Sequence, residues 1–152
     1  MKTSTRKFFF KYIKLINLYP PFLGAGIRVK EAHPEGNAFR VELKLSWYNR
    51  NVYGTHYGGS LYSMCDPFYV FAAYSFFGDD YILWDKSASI EYIKPAKGRV
   101  SAWFEIPKHQ LIEMKKEVDD LGKQTYSFEA DIKNEKNVTV AKVVKEIYIR
   151  KK

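Results

Sequence analysis

Cysteine is almost missing from this chain. Cys65 is the only one in 152 residues, which excludes an intramolecular disulfide and most structural zinc sites. Histidine is nearly as scarce: His33, His56 and His109 lie far apart, without the spacing of metal ligands. No metal is therefore expected. No apolar run reaches the roughly 18 residues of a membrane span. Near the N-terminus, Lys2, Arg6 and Lys7 precede apolar residues, but Lys11 and Lys14 interrupt them and no small-residue cleavage site follows. The expectation is a cytoplasmic protein without a transmembrane segment. Two common catalytic or cofactor loops are also missing. Gly24-Ala-Gly26 lacks the third glycine of a dinucleotide-binding turn, and Ser60 is not in a Gly-x-Ser-x-Gly elbow.

Apolar and aromatic residues are plentiful, at 46% and 17%, enough for one packed domain. The formal net charge of +8 attracts anions in general, including polyphosphate ligands. Because the basic residues are spread along the chain without a nucleic-acid motif, no nucleic-acid partner is expected.

Phe8, Phe9, Tyr12, Ile13 and Ile16 recur at helical spacing and predict an N-terminal helix over residues 1–20, packed on a domain formed by residues 21–152. Tyr19-Pro-Pro breaks that pattern. Ile27 to Lys30 and Phe39 to Trp47 read as strands, with Val41, Leu43, Leu45 and Trp47 alternating with polar residues. Gly59 to Phe77 is apolar nearly all round and predicts a helix buried on every side. Four further strands follow: Ile82 to Lys94, Arg99 to Ile106, Thr125 to Lys133 and Val138 to Arg150. Between the second and third of these, Pro107 to Leu121 is an amphipathic helix with Leu111, Ile112, Val118 and Leu121 on its apolar side. One long helix cannot cover a large antiparallel sheet by itself. The fold class is thus α+β, with a curved antiparallel sheet wrapped round a central helix and an apolar remainder that invites a second subunit.

The chemistry concentrates in the run from Asn51 to Asp66. Gly58 and Gly59 open the central helix, where backbone N–H groups lack intrahelical partners and can meet an oxyanion. Asp66 follows seven residues after Gly59, amid Leu61, Met64, Cys65 and Phe68. A carboxylate among apolar residues suits a general base or a nucleophile. A simpler reading makes Asp66 the N-cap of a helix beginning at Pro67. On one continuous helix Gly59 and Asp66 are roughly 10 Å apart, too far to serve one carbonyl group. Two antiparallel helices from paired subunits could bring the two together.

Asn51-x-x-Gly54-Thr55-x-x-Gly58-Gly59-x-Leu61-x-x-x-x-Asp66 resembles the signature of hotdog-fold acyl-CoA thioesterases of the phenylacetyl-CoA type. It is similar in particular to an uncharacterised bacterial branch of hotdog proteins. Asp85-Lys-Ser-Ala-Ser-Ile-Glu-Tyr-Ile-Lys-Pro-Ala-Lys-Gly98 is similar to the strand and turn after the helix in that family. The resemblance implies a hotdog fold and acyl-CoA hydrolysis at a homodimer interface, as a dimer or a dimer of dimers. In that arrangement the expected roles are the oxyanion for Gly59 with Gly58, general base or direct nucleophile for Asp66, and orientation of water or the carbonyl for Asn51. Coenzyme A is then part of the substrate, and no separate cofactor is expected. Lys94, Lys97 and Arg99 flank a turn and are candidates for its phosphates.

One departure from the family stands out. Its histidine before the two glycines is Tyr57 here, and the histidine falls one place earlier, at His56. Tyr57 offers a phenolic donor in its stead. This motivates two alternatives: a binding protein for acyl-CoA or lipid without turnover, and a hotdog dehydratase or hydratase using His56 with Asp66.

Overall fold

The computed structural model describes residues 12–152; Phe8 and Phe9 of the expected N-terminal helix lie outside them. The described part of that segment is a 3-10 helix over Ile13–Leu18. Asn17 in it clamps the backbone of Val29, donating to its carbonyl (3.1 Å) and accepting from its N–H (2.6 Å). The two prolines after Tyr19 do not end helical structure. They open a short helix α1, Pro20–Ala25, because proline lacks only a donor that the first turn leaves unused.

Six strands follow: β1 Ile27–Ala32, β2 Ala38–Lys44, β3 Tyr81–Tyr92, β4 Arg99–Glu105, β5 Lys123–Asn134 and β6 Thr139–Lys151. They form one antiparallel sheet in the order β1-β2-β4-β5-β6-β3. The expected extension of β2 to Trp47 is corrected, since β2 stops at Lys44 and Trp47 is 82% exposed. At the far end, β3 pairs only with β6 among the described strands, so its other edge is free.

The central helix is also corrected. It is not continuous from Gly59 to Phe77 but consists of α2, Gly58–Ser63, and α3, Phe68–Phe77. Pro67 has no N–H to continue the ladder, and the chain turns between the two pieces with a cis Asp66–Pro67 bond. Asp66 does not cap α3: the cap position is Pro67, and no side chain bonds the helix start. Nor is the helix buried on every side. Phe68, Tyr69, Ala72, Ala73 and Phe77 are buried, while Val70, Phe71, Tyr74 and Phe76 are only partly covered.

The buried side packs on the inward-facing residues of β2, β4 and β5. Phe68 stacks on Phe104 at 5.3 Å between centroids, and Tyr69 stacks on Phe128 at 4.9 Å. The Tyr69 hydroxyl donates to the Glu129 carbonyl at 2.6 Å, which satisfies a polar atom that burial would otherwise strand. The last helix, α4 over Lys108–Leu121, buries Leu111, Met114 and Val118. Ile112 and Leu121, expected on its apolar side, are exposed; spacings of three and four select Met114 in their place.

His56 ties the loop before α2 to the β3–β4 turn. Its N–H donates to the Ala96 carbonyl at 3.0 Å, and its ring Nε2 donates to the Gly98 carbonyl at 3.1 Å. Since a carbonyl only accepts, Nε2 carries the hydrogen, and Nδ1 is buried without a partner. Burial lowers the His56 pKa below its ordinary value of 6.5, against the opposing hydrogen bond to Gly98.

Two outcomes test this packing. Phe104→Ala should lower unfolding stability by about 3–5 kcal/mol in guanidinium titration, as expected for removing a buried ring. Because His56 titrates lower when folded than when unfolded, its neutral ring stabilises the fold above pH 6.5. That contribution is lost as pH falls through the folded value. His56→Gln should flatten the loss of melting temperature on acidification relative to the unsubstituted chain.

Candidate active site

The loop from Asn51 to Tyr57 is organised by one side chain. Asn51 Oδ1 accepts from the N–H groups of Tyr53 (3.0 Å) and Thr55 (3.1 Å). Its Nδ2 donates to Thr55 Oγ1 (2.9 Å) and to the His56 carbonyl (3.2 Å). Both lone pairs and both hydrogens of the amide are thereby used. Asn51 shapes the approach to α2, where the sequence pointed to contact with water or a carbonyl.

The loop delivers the chain to Gly58. The Tyr57 carbonyl accepts from Ser60 (3.0 Å) and Leu61 (3.2 Å), so the amides of Gly58 and Gly59 come before the first intrahelical bond. Both glycines sit under close neighbours. A Cβ on Gly58 would lie 3.0 Å from the ring of Tyr92, whose hydroxyl donates to the Gly58 carbonyl at 2.9 Å. A Cβ on Gly59 would collide with the Tyr57 ring. The tip of α2 is therefore held against β3 with its amides uncovered by side chains of its own.

Beside this tip is a cavity of about 700 Å³, lined in part by Asn51, His56, Gly58, Tyr92, Lys94 and Lys97. Five of the expected site residues thus meet at one opening. Tyr57 faces away from it, into a cleft with Tyr48, Arg50 and Ser60. Arg99 points elsewhere as well, toward Glu42 at 3.7 Å.

Asp66 belongs to a second group, at the break between α2 and α3. Its side chain is half exposed, and its Oδ1 is 3.9 Å from Lys145 Nζ. Lys145 is 1% exposed and lies 3.0 Å from Asp85 Oδ1. Burial raises the Asp85 carboxyl above its ordinary value; the Lys145 ammonium opposes that, and the neighbouring Asp66 carboxylate adds to it. The Tyr62 ring lies 5.7 Å from the same ammonium. Cys65 is shut in alongside, its thiol pushed up to about 12 by burial, and is no nucleophile near neutral pH.

Neither Lys145 nor Asp85 was recognised from sequence as part of a site, although a signal existed. Val143, Ile147 and Ile149 share the inward face of β6, and alternation puts Lys145 on that face too. A lysine in an apolar row needs a partner.

No helix among the described residues is long and apolar enough to cross a membrane. No curated protein matches the sequence. Solved structures do. A Pseudomonas aeruginosa protein of unknown function, described as a probable thioesterase, matches with a TM-score of 0.81 at 18% identity, over 100% of this chain and 97% of that one. A Haemophilus influenzae thioesterase matches with a TM-score of 0.68 at 10% identity, over 93% and 90%. A mutant of the phenylacetic acid degradation protein PaaI from Thermus thermophilus matches with a TM-score of 0.59 at 18% identity, over 85% and 97%. The curved antiparallel sheet around a central helix is the hotdog fold that these neighbours share. Residues 7–149 match the family model described as a domain of unknown function, DUF4442, and the chain belongs to that family.

Proposed function

We propose that this protein hydrolyses acyl-CoA thioesters at sites shared between two copies of the chain. The observation that carries the reading is Asp66: a half-exposed carboxylate at the break of an otherwise apolar helix, backed by a buried lysine. A carboxylate turned out of the core at that point is poorly explained by packing and well suited to water activation.

Asp66 and the Gly58–Gly59 tip stand at opposite ends of α2, so one chain cannot direct both at one carbonyl. A second copy can complete the site if its α2 tip meets Asp66. One feature favours that pairing: the outer edge of β3, which pairs with no other described strand. In the complete site the Gly59 amide receives the oxyanion, with the Gly58 amide beside it. Asp66 removes a proton from the attacking water, or attacks directly to give a mixed anhydride that water then opens. Either way the thiol of coenzyme A departs and the free acid remains. Lys94 and Lys97 at the cavity are placed to attract the phosphates of the substrate, and no cofactor is needed beyond the coenzyme A that the substrate carries.

That a probable thioesterase and a thioesterase share this fold supports thioester hydrolysis. Dehydration through His56 is less favoured, because its ring is buried and tied to Gly98.

Thiol release across a panel of acyl-CoAs tests the reading directly. Asp66→Asn should abolish turnover while acyl-CoA still binds by calorimetry; undiminished turnover would reject Asp66. Gly59→Ala should lower kcat by about 10²–10³-fold, the usual loss for a misplaced oxyanion donor. Mixing these two inactive variants and allowing subunits to exchange gives a sharper result. Half the dimers are then mixed and one of two sites in each is intact, so about a quarter of the activity should return. No recovery would place both residues in one chain's site.

A further inference from the structure

We propose that Lys145 is a positioning residue for Asp66, with Asp85 as the counter-charge that allows its ammonium to remain in the core. The inference rests on Asp66 being the reacting carboxylate and extends that reading to two residues it does not otherwise use.

The geometry has one more acid than burial requires. Asp85, 3.0 Å away, already balances the charge of Lys145, which is what a buried ammonium needs. The Asp66 carboxylate at 3.9 Å is a second, longer contact, made by a group that is half exposed. The lysine is thus anchored on one acid and directs the other. Its anchorage is rigid, because β6 pairs with β3 on one side (Lys145 opposite Ala88) and with β5 on the other (Lys145 opposite Phe128). Asp85 lies beside the bulge that shifts the β3–β6 register between Asp85 and Ser87. Asp66 lies on the turn between α2 and α3, its N–H donating to the Ser63 carbonyl at 3.2 Å and its side chain reaching Lys145. A fixed cation behind it restrains the carboxylate and leaves its outer side open to water.

The titratable and charged groups around Lys145 come from three elements. Asp66 and the buried Cys65 lie at the helix break, the Tyr62 ring is on α2, and Asp85 is on β3. Removing the lysine leaves two carboxylates to repel each other. Removing the charge of Asp85 leaves Asp66 with the lysine to itself. The two changes should therefore act on Asp66 in opposite directions, which a merely structural role for the cluster would not produce.

The experiment compares the unsubstituted protein with Lys145→Met, Asp85→Asn and the double variant. Lys145→Met should move the acid limb of the kcat/KM profile to higher pH by about one unit, an effect of about tenfold on the sloping part of that limb, with KM little changed. Asp85→Asn should move it to lower pH, and the double variant should return toward the unsubstituted profile. Carboxyl-carbon NMR of Asp66 reads the same titration without substrate. It also separates the two readings: no thiol release from the unsubstituted protein defeats the hydrolase assignment alone. Asp66 titrations that coincide in all four proteins, or move the same way in both single variants, overturn the role of Lys145. Asp85→Asn keeps the side-chain shape and the lysine, so it decides the matter if Lys145→Met does not fold.

Discussion

An apolar helix that must pack on a curved sheet, yet stops once along its length, governs this molecule. Phe68, Tyr69, Ala72 and Phe77 on one side of the break and Leu61 and Met64 on the other are all buried. The hydrophobic effect therefore fixes both pieces on the sheet. Pro67 prevents a single hydrogen-bonded ladder between them. The residue ahead of it, Asp66, sits where its carboxylate leaves the core while Cys65 and Phe68 stay within it.

The other parts of the candidate site follow from how that helix is held at its tip. Asn51 closes the preceding loop on itself, His56 ties the loop to the β3–β4 turn, and Tyr92 holds the Gly58 carbonyl. Between them they set Gly58 beside a cavity that Lys94 and Lys97 also line. Asn51 and His56, both candidates for the chemistry, also spend hydrogen bonds on holding this loop. An amide such as Asn51, with all its hydrogen bonds made inside a loop, fixes the backbone geometry of that loop.

Charge is distributed by the same logic. The chain is strongly basic, yet the most deeply buried charge among the described residues is one lysine among apolar strand residues, matched by acids from two other segments. Arg99, by contrast, sits at the surface and faces Glu42. Sequence proximity to a turn made Arg99 and Lys97 look equivalent; strand direction sends them to different places.

Much of this was written in local patterns. The order of strands and helices, the amphipathic α4, the glycine pair and the acid seven residues later are all short-range features, legible because side-chain periodicity reports which face is buried. The resemblance to hotdog thioesterases rested on the same stretch. What the sequence could not determine was anything that depends on distant strands meeting. Pairing of β6 with β3 brings Lys145 to Asp85 across 60 positions of chain, and packing of the helix over both brings Asp66 to them. Alternation along β6 marks Lys145 as inward-facing, but which acids meet it is a property of the assembled sheet, and no local pattern encodes that.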